Sequence, residues 1–261
     1  MAFYPQLLTG AVAQFQFDKR LEGRAVLNRA ADESTYAAAD PAGRRVRWDF
    51  AYVGLSVSEF AALEALFAES EGRLSTFTFL DPTANLLGWS EEFGAVAWHK
   101  DATLTVVGSV AGPMADGFQL ANGGQDWAEV SQLLAAPTNF IYAFSVWVRG
   151  AGSVRLRRFG AVESAELEFP LTGAWQRIEL GGALAESAAN ISFAIGLPAG
   201  GQVDVAGPQV EAQLVAGDYK KSAGRGGLYT AARFAQDVLE SKIEAMDWID
   251  TRVSVESRFE D

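Results

Sequence analysis

The chain of 261 residues contains no cysteine and only one histidine, His99. Disulfide bonds, thiolate nucleophiles and cysteine-ligated metals are therefore excluded, and a single histidine cannot build a multi-histidine metal site. We accordingly expect no metal and no other cofactor. No apolar run approaches the roughly 20 residues that a membrane-spanning helix needs. The first residues also lack a basic segment followed by an apolar core, so we expect no signal peptide and no membrane insertion.

Basic residues are scarce as well. Lysine and arginine number 21 against 33 acidic residues, which gives a formal net charge of -12. Binding to a phosphate backbone needs basic clusters, so this balance argues against a nucleic-acid partner. The deficit is greatest in residues 86–218, which carry 6 basic and 14 acidic side chains. This shift in composition indicates a separate module in the middle of the chain.

The stretch from Arg44 to Pro82 organises the rest of the sequence. Its first part alternates apolar and polar residues, which predicts a half-buried strand whose core face carries Val46, Trp48, Phe50 and Tyr52. Ser56 and Glu59 then form an S-x-x-E capping box, which predicts the start of a helix. Gly72 is expected to end that helix in a left-handed conformation. A second strand with alternating aromatic residues follows.

The residues before this stretch predict two or three short strands between Ala11 and Ala39. Asp40-Pro41-Ala42-Gly43 predicts a turn by composition, because these residue types favour tight backbone bends. That turn would deliver the chain to the strand that carries Trp48.

The region after Pro82 has a different character. From residue 86 to residue 214 the sequence predicts many short strands separated by glycine and proline and no convincing helix, which is typical of a β-sandwich. Ser222–Gly227 reads SAGRGG and predicts a flexible joint.

A closing strand near the C-terminus places its apolar residues on one face, namely Val253, Val255 and Phe259. This face needs a sheet partner, since a single strand is not stable alone. The economical interpretation is that it joins the N-terminal sheet. Residues 1–85 and 222–261 then form one discontinuous domain, and residues 86–221 form an inserted domain. The predicted fold class is mainly β: a β-sandwich with one α-helix, interrupted by an inserted β-sandwich.

Tryptophans of the insertion are the candidate ligand-binding residues, because flat aromatic faces suit the apolar faces of sugar rings. Trp127, with Asp126 beside it, follows two glycines in a predicted loop and is the first candidate. Trp89 and Trp147 are further candidates. Core packing is the alternative role for each tryptophan.

Charged clusters in the insertion have two interpretations. Arg155, Arg157 and Arg158 could form a site for an anion or an acidic sugar. Alternatively, a hairpin turning near Gly160 would place Arg155 opposite Glu168 and Arg157 opposite Glu166 as cross-strand pairs, and we favour this reading. Glycoside hydrolysis needs two carboxyl groups at a fixed separation across a cleft, which nothing in the sequence specifies, so we expect no enzyme.

The outer segments resemble the ring-forming belt domain of phage distal tail proteins, which also occurs in gene transfer agents and related tail-like particles. The similarity lies in WDFAYVGLS, EFAALEAL and GRLSTFTFLDP, and near the end in ARFAQD and RVSVESRF. It implies a β-sandwich with one helix, assembled as a homo-hexameric ring below the tail tube. The implied partners are the tail tube protein and the hub or baseplate protein, and the implied location is the tail tip of a virion assembled in the host cytoplasm.

The insertion is similar to a different group, the concanavalin-like and carbohydrate-binding jelly rolls appended to phage tail proteins. NLLGWSEEF, YAFSVWVRG, AWQRIEL and VAGPQVEAQLVAGDY carry this similarity. It implies a jelly-roll module that attaches the tail to glycans on the host surface.

Three function classes follow: a structural ring component of a tail with a binding module, a free-standing lectin-like protein, and a polysaccharide hydrolase. We favour the first. A ring must join its subunits head to tail through two different interfaces. The charged residues expected there include Arg45, Arg47, Arg252 and Arg258. Because the acidic insertions would repel one another at the axis, we expect them on the outside of the ring.

Overall fold

The computed structural model describes residues 2–114 and 116–259, with the backbone alone for residues 41 and 42. This part of the chain is mainly β, as predicted. Its one helix is α1 (Val57–Glu69). The strands, in chain order, are β1 (Asp18–Arg29), β2 (Thr35–Leu55), β3 (Phe77–Leu80), β4 (His99–Lys100), β5 (Leu104–Ala111), β6 (Asp116–Asn122), β7 (Ala128–Leu134), β8 (Tyr142–Gly150), β9 (Ser153–Phe159), β10 (Ser164–Pro170), β11 (Gln176–Gly182), β12 (Ile191–Leu197), β13 (Gln202–Glu211), β14 (Leu228–Phe234), β15 (Ser241–Ala245) and β16 (Trp248–Arg258).

The chain divides into two compact units. Of the described residues, 2–5, 13–79 and 229–259 form the first, and 6–12 and 80–228 form the second. We call the first the outer-segment unit and the second the sandwich unit. No helix in the described ranges has both the length and the apolar character needed to cross a membrane.

The sheet of the outer-segment unit joins the two ends of the chain. Its strand order is β1-β2-β16-β14-β3, and β15 also pairs with β16. Val253 of β16 lies opposite Phe50 of β2, and Val255 lies opposite Trp48. All four side chains are buried. The prediction that the closing strand joins the N-terminal sheet is therefore confirmed.

Helix α1 covers this sheet and begins as the sequence predicts. Ser56 accepts from the backbone N–H of Glu59, and the Glu59 carboxylate accepts from the backbone N–H of Ser56, which completes the capping box. Leu63 and Leu66 are the buried residues of the helix. The helix ends at Glu69, before the predicted stop. Gly72 has a φ of 62° and its N–H donates to the Phe67 carbonyl, so it satisfies an orphan acceptor of the last turn.

Aromatic rings fill the core under the sheet. Tyr4 packs edge-on against Phe79 at a centroid distance of 5.3 Å. Its hydroxyl is hydrogen-bonded to the Tyr52 hydroxyl at 2.8 Å. Burial raises the pKa of both tyrosines well above the usual value, so both hydroxyls stay neutral. The neutral pair satisfies two polar groups inside an otherwise apolar core.

The predicted turn at residues 40–43 is wrong, because β2 continues through it. Glu22 of β1 lies opposite Arg45, whereas Arg24 lies opposite Asp40, so several residues of β2 bulge opposite Gly23. A bulge tolerates proline because the local ladder is interrupted there. One of the strands predicted between Ala11 and Ala39 does not form, because none of residues 11–17 belongs to a strand. Gln14 instead bonds both the N–H and the carbonyl of Val53 through its side-chain amide, occupying the groups that a neighbouring strand would use.

The sandwich unit consists of two five-stranded sheets. One has the order β10-β9-β12-β7-β4, and the other has the order β11-β8-β13-β6-β5. Apolar side chains of β8, β12 and β13 are fully buried between them, including Phe144, Phe193 and Val205. The predicted β-sandwich is confirmed, and none of its described residues forms a helix.

The segment predicted as a flexible joint is fixed by hydrogen bonds. The N–H of Trp89 donates to the Gly224 carbonyl at 2.9 Å, and the N–H of Gly227 donates to the Asn85 carbonyl at 2.7 Å. A Cβ atom added to Gly226 would lie 2.0 Å from the Leu86 carbonyl oxygen. The glycines thus permit close backbone contact rather than mobility. We call these paired segments, residues 85–90 and 222–227, the neck.

Asp81 and Gly227 lie close together, which permits a deletion test. The N–H of Asp81 donates to the Gly227 carbonyl at 2.8 Å. Replacing residues 82–226 with a glycine/serine linker of about four residues should therefore leave a folded outer-segment unit. The measurement is thermal unfolding followed by fluorescence of the buried Trp48. A single cooperative transition is expected, and a gradual loss of signal would contradict the division into two units.

Candidate functional site

On the outer face of the β10-β9-β12-β7-β4 sheet, the central strand carries shorter side chains than its neighbours, and we call the surface above that strand the trough. The central strand, β12, presents only small residues on that face, namely Ser192, Ala194 and Gly196. The register places Gly196 between Arg155 of β9 and Glu129 of β7. The longer side chains of these flanking strands therefore meet above β12.

These flanking side chains form a layer of ion pairs over the trough. Arg155 lies 2.7 Å from Glu129 and 3.4 Å from Glu166, and Arg157 lies 3.3 Å from Glu129 and 3.8 Å from Glu166. The Glu129 and Arg155 side chains are only 14% and 18% exposed. Solvent therefore screens this pair less than it screens an ordinary surface pair. We call Arg155, Arg157, Glu129 and Glu166 the ion-pair layer.

The predicted hairpin register between β9 and β10 is confirmed. Glu166 lies opposite Arg157, and Glu168 lies opposite Arg155. Within the described residues, however, Glu168 forms no ion pair. Glu129 takes that role from across the trough because Gly196 has no side chain to separate the two flanking strands.

Aromatic rings support both guanidinium groups. The Arg155 guanidinium lies 4.5 Å from the centroid of the Trp127 ring, and the Arg157 guanidinium lies 4.5 Å from that of Phe159. Such cation–π contacts hold the flat groups in place. Trp127 is half-buried, so part of its ring remains open to a ligand.

Hydrogen bonds fix the backbone on either side of Trp127. The Asn122 side-chain amide donates to the Asp126 carbonyl at 2.7 Å. Asp101 accepts from the Glu129 N–H at 2.8 Å, and its own N–H donates to the Glu129 carbonyl at 3.0 Å. The tryptophan is therefore positioned in advance of any ligand, which lowers the entropy cost of binding.

Asp126 is exposed beside Trp127. The other candidate residues lie elsewhere in the sandwich unit. Trp89 lies in the neck, where its carbonyl accepts from the indole N–H of Trp98 at 2.9 Å. Trp147 lies on the outer face of the other sheet, opposite Arg177 and Ala206. The structure thus places only Asp126 and Trp127 together.

Sequence reasoning missed the floor of the trough and the position of Glu129. The signal for the floor is the alternation of small and large residues in ISFAIGL, residues 191–197. The single histidine, His99, belongs to the short strand β4, opposite Ser131. His99 is exposed at this edge of the same sheet.

Comparison with known proteins gives distant structural neighbours of about half the chain. The enzymatically active domain of bacteriophage CBA120 tailspike protein 4 shows 12% identity and a TM-score of 0.40 over 51% of this chain, which spans only 22% of that one. TmCBM61, solved with β-1,4-galactotriose, shows 17% identity and a TM-score of 0.36, covering 48% of this chain and 97% of that one. The family 11 carbohydrate-binding module of Lic26A-Cel5E from Clostridium thermocellum shows 13% identity and a TM-score of 0.38, covering 53% and 99%.

No protein-family model and no curated protein sequence matches the chain. TM-scores below 0.5 do not by themselves establish a common fold. The support for a function of the trough and its ion-pair layer therefore comes from the chemistry of their own residues.

The ion-pair layer should contribute measurably to stability. Glu129→Ala leaves two partly buried guanidinium groups with one carboxylate, so it should lower the free energy of unfolding by about 1–3 kcal/mol. Glu168→Ala is the matched control, since this glutamate forms no ion pair within the described residues, and it should cost less than about 0.5 kcal/mol. Urea denaturation measures both. Equal losses of unfolding free energy in the two variants would contradict the role of Glu129 in the ion-pair layer.

Proposed function

We propose that the chain is a structural subunit of a phage or phage-like tail tip. Six copies form a ring that joins the tail tube to the hub or baseplate, and the sandwich unit attaches the particle to glycans of the host surface. The proposed ring is inferred from the exposed β1–β2 hairpin of the outer-segment unit. The glycan role rests on the trough of the sandwich unit.

The β1–β2 hairpin is the observation that supports assembly. Leu21, Leu27 and Tyr36 are 71%, 66% and 67% exposed. Leu27 pairs with Ala37, and Tyr36 pairs with Asn28, so Leu27 and Tyr36 lie on opposite faces. A two-stranded hairpin with apolar residues on both faces is not stable by itself in water. A neighbouring copy of the chain would cover these faces.

The β1 edge adds a second reason for a partner. β1 is the first strand of its sheet and is exposed along all 12 residues. An open edge of this length is normally covered or paired in a native assembly. Placed against a neighbour, it would extend the contact that the apolar faces of the hairpin begin.

The four arginines expected at an interface lie on one face of the sheet. Arg45 is bonded to Glu256 at 3.1 Å, and Arg47 is bonded to Asp49 at 2.9 Å. Arg252 and Arg258 are exposed and form no ion pair within the described residues. Two free cations beside two satisfied ones suit an orienting contact with an acidic surface of the next subunit. Their role in the interface remains a prediction.

Sizing the purified full-length chain tests the ring. Light scattering during size exclusion should show a mass of about six subunits, and electron microscopy should show six-fold rings. Leu27→Glu combined with Tyr36→Glu places charges on both hairpin faces and should reduce the mass to one subunit.

The control for that experiment is Val162→Glu, which adds one such charge at an exposed apolar residue of the sandwich unit. It should leave the assembly intact. A wild-type chain that stays monomeric at all concentrations would count against the ring, and glycan affinity in that monomer would support the lectin-like alternative.

The trough supports binding rather than hydrolysis. A glycosidase needs one carboxyl group as a proton donor and a second one across a cleft. Glu129 and Glu166 instead share the same two guanidinium partners. Together with the open face of Trp127, the layer offers fixed donors and acceptors next to an apolar ring, which suits a sugar.

Removing the ring of Trp127 tests the glycan role. Trp127→Ala should lower binding to a panel of immobilised bacterial surface polysaccharides by roughly tenfold, because the aromatic platform is lost. Loss of the contact with Arg155 should cost only about 0.5–1 kcal/mol of stability.

The matched control is Trp175→Ala. Trp175 is also half-buried and lies 4.8 Å from the guanidinium of Arg149, but it directly precedes β11, a strand of the opposite sheet. Its removal should leave glycan binding unchanged. A large fall in melting temperature for Trp127→Ala would instead assign that ring to the core.

A further inference from the structure

The cations of the trough are already neutralised by the protein itself. Arg155 and Arg157 each contact both Glu129 and Glu166, so each guanidinium lies between two carboxylates. The neighbouring Glu168 adds a third negative charge to the same face. The trough therefore contains two cations and three carboxylates and has no surplus positive charge.

An acidic sugar would have to displace one of these carboxylates to reach a guanidinium. Glu129 is 14% exposed and accepts from both arginines. Displacing its carboxylate from the arginines would leave that partly buried negative charge without partners. Glu166 is 47% exposed and is the easier one to displace. Its side chain would still remain close to the bound anion and repel it.

The charge of the whole module acts in the same direction. Residues 86–218 carry 14 acidic against 6 basic side chains. The field of such a module repels an approaching polyanion and slows its association. The local pairing and the overall charge therefore have the same consequence.

The layer nevertheless presents hydrogen-bonding groups that suit hydroxyls. Guanidinium N–H groups donate and carboxylate oxygens accept, and these are the groups that hydrogen-bond the neighbouring hydroxyl groups of a sugar ring. From Trp127 to Leu133 the flanking segment of β7 extends over roughly 20 Å, at about 3.4 Å per residue. That length accommodates a linear oligosaccharide rather than a single sugar.

We infer that the trough over β12 selects neutral, hydroxyl-rich oligosaccharides and rejects uronic, sialic and other acidic glycans. This inference depends on the glycan-binding function proposed above. The Arg155–Arg157 pair, which in the sequence suggests an acidic-sugar site, acts as part of a neutral hydrogen-bonding surface.

The first test compares neutral and acidic probes on the full-length chain. Immobilised galactan, xylan and β-glucan serve as neutral probes, and polygalacturonate, alginate and polysialic acid serve as acidic ones. At least one neutral probe should bind, with an affinity that changes less than about twofold between about 0.05 and 0.5 M salt. The acidic probes should not bind above background.

The second test releases one arginine from its partner. Glu166→Gln removes a carboxylate from the ion-pair layer and should raise binding to the acidic probes by roughly three- to fivefold. Glu168→Gln removes the same charge two residues away on the same strand, where no ion pair exists within the described residues. Glu168→Gln should raise binding to the acidic probes by less than about twofold, because it lowers the charge without releasing an arginine. The difference between the two variants therefore isolates the pairing from the overall charge.

The outcomes separate the two proposals. If the wild-type chain prefers an acidic probe and loses it at high salt, the neutral selectivity is wrong and the glycan-binding function stands. If Glu166→Gln and Glu168→Gln change acidic binding equally, the ion-pair layer is not the cause of the selectivity, and this inference is overturned. If no neutral or acidic probe binds, the glycan-binding function fails together with the selectivity.

Discussion

Pairing between β2 and β16 is the constraint on which the rest of the structure depends. Each strand has one apolar face, and side by side the two strands present these faces to the same core. Burying Trp48 beside Val255 and Phe50 beside Val253 joins segments about 200 residues apart. The chain between β3 and β14 leaves this sheet and returns to it, and most of it belongs to a second compact unit with its own core.

Local chemistry made several parts of the fold predictable. The alternation from Val46 to Tyr52, the capping box at Ser56 and the register of Arg157 with Glu166 each depend on a few neighbouring residues. The pairing of the chain ends was also predictable, because an apolar strand face with no neighbour requires a distant partner. These features share one property: a single local pattern is enough to determine them.

The errors arose where a distant partner overrides a local preference. Pro41 and Gly43 favour a turn, but the pairing of β1 along β2 carries the strand past them. Gly226 suggests mobility, but in the neck it allows two backbones to touch. Likewise, Glu129 could not be assigned to Arg155 from sequence, because their contact requires β12 to lie between β7 and β9.

The neck has a consequence for how such a module is inherited. A side chain at Gly226 would collide with the Leu86 carbonyl, and one at Gly88 would lie 2.7 Å from the Gly224 carbonyl. These positions belong to opposite ends of the sandwich sequence, and each glycine is required by the backbone of the other segment. A recombination event that exchanged only the strands would separate glycines that must occur together. The unit that can pass between genomes is therefore the sandwich with both halves of its neck.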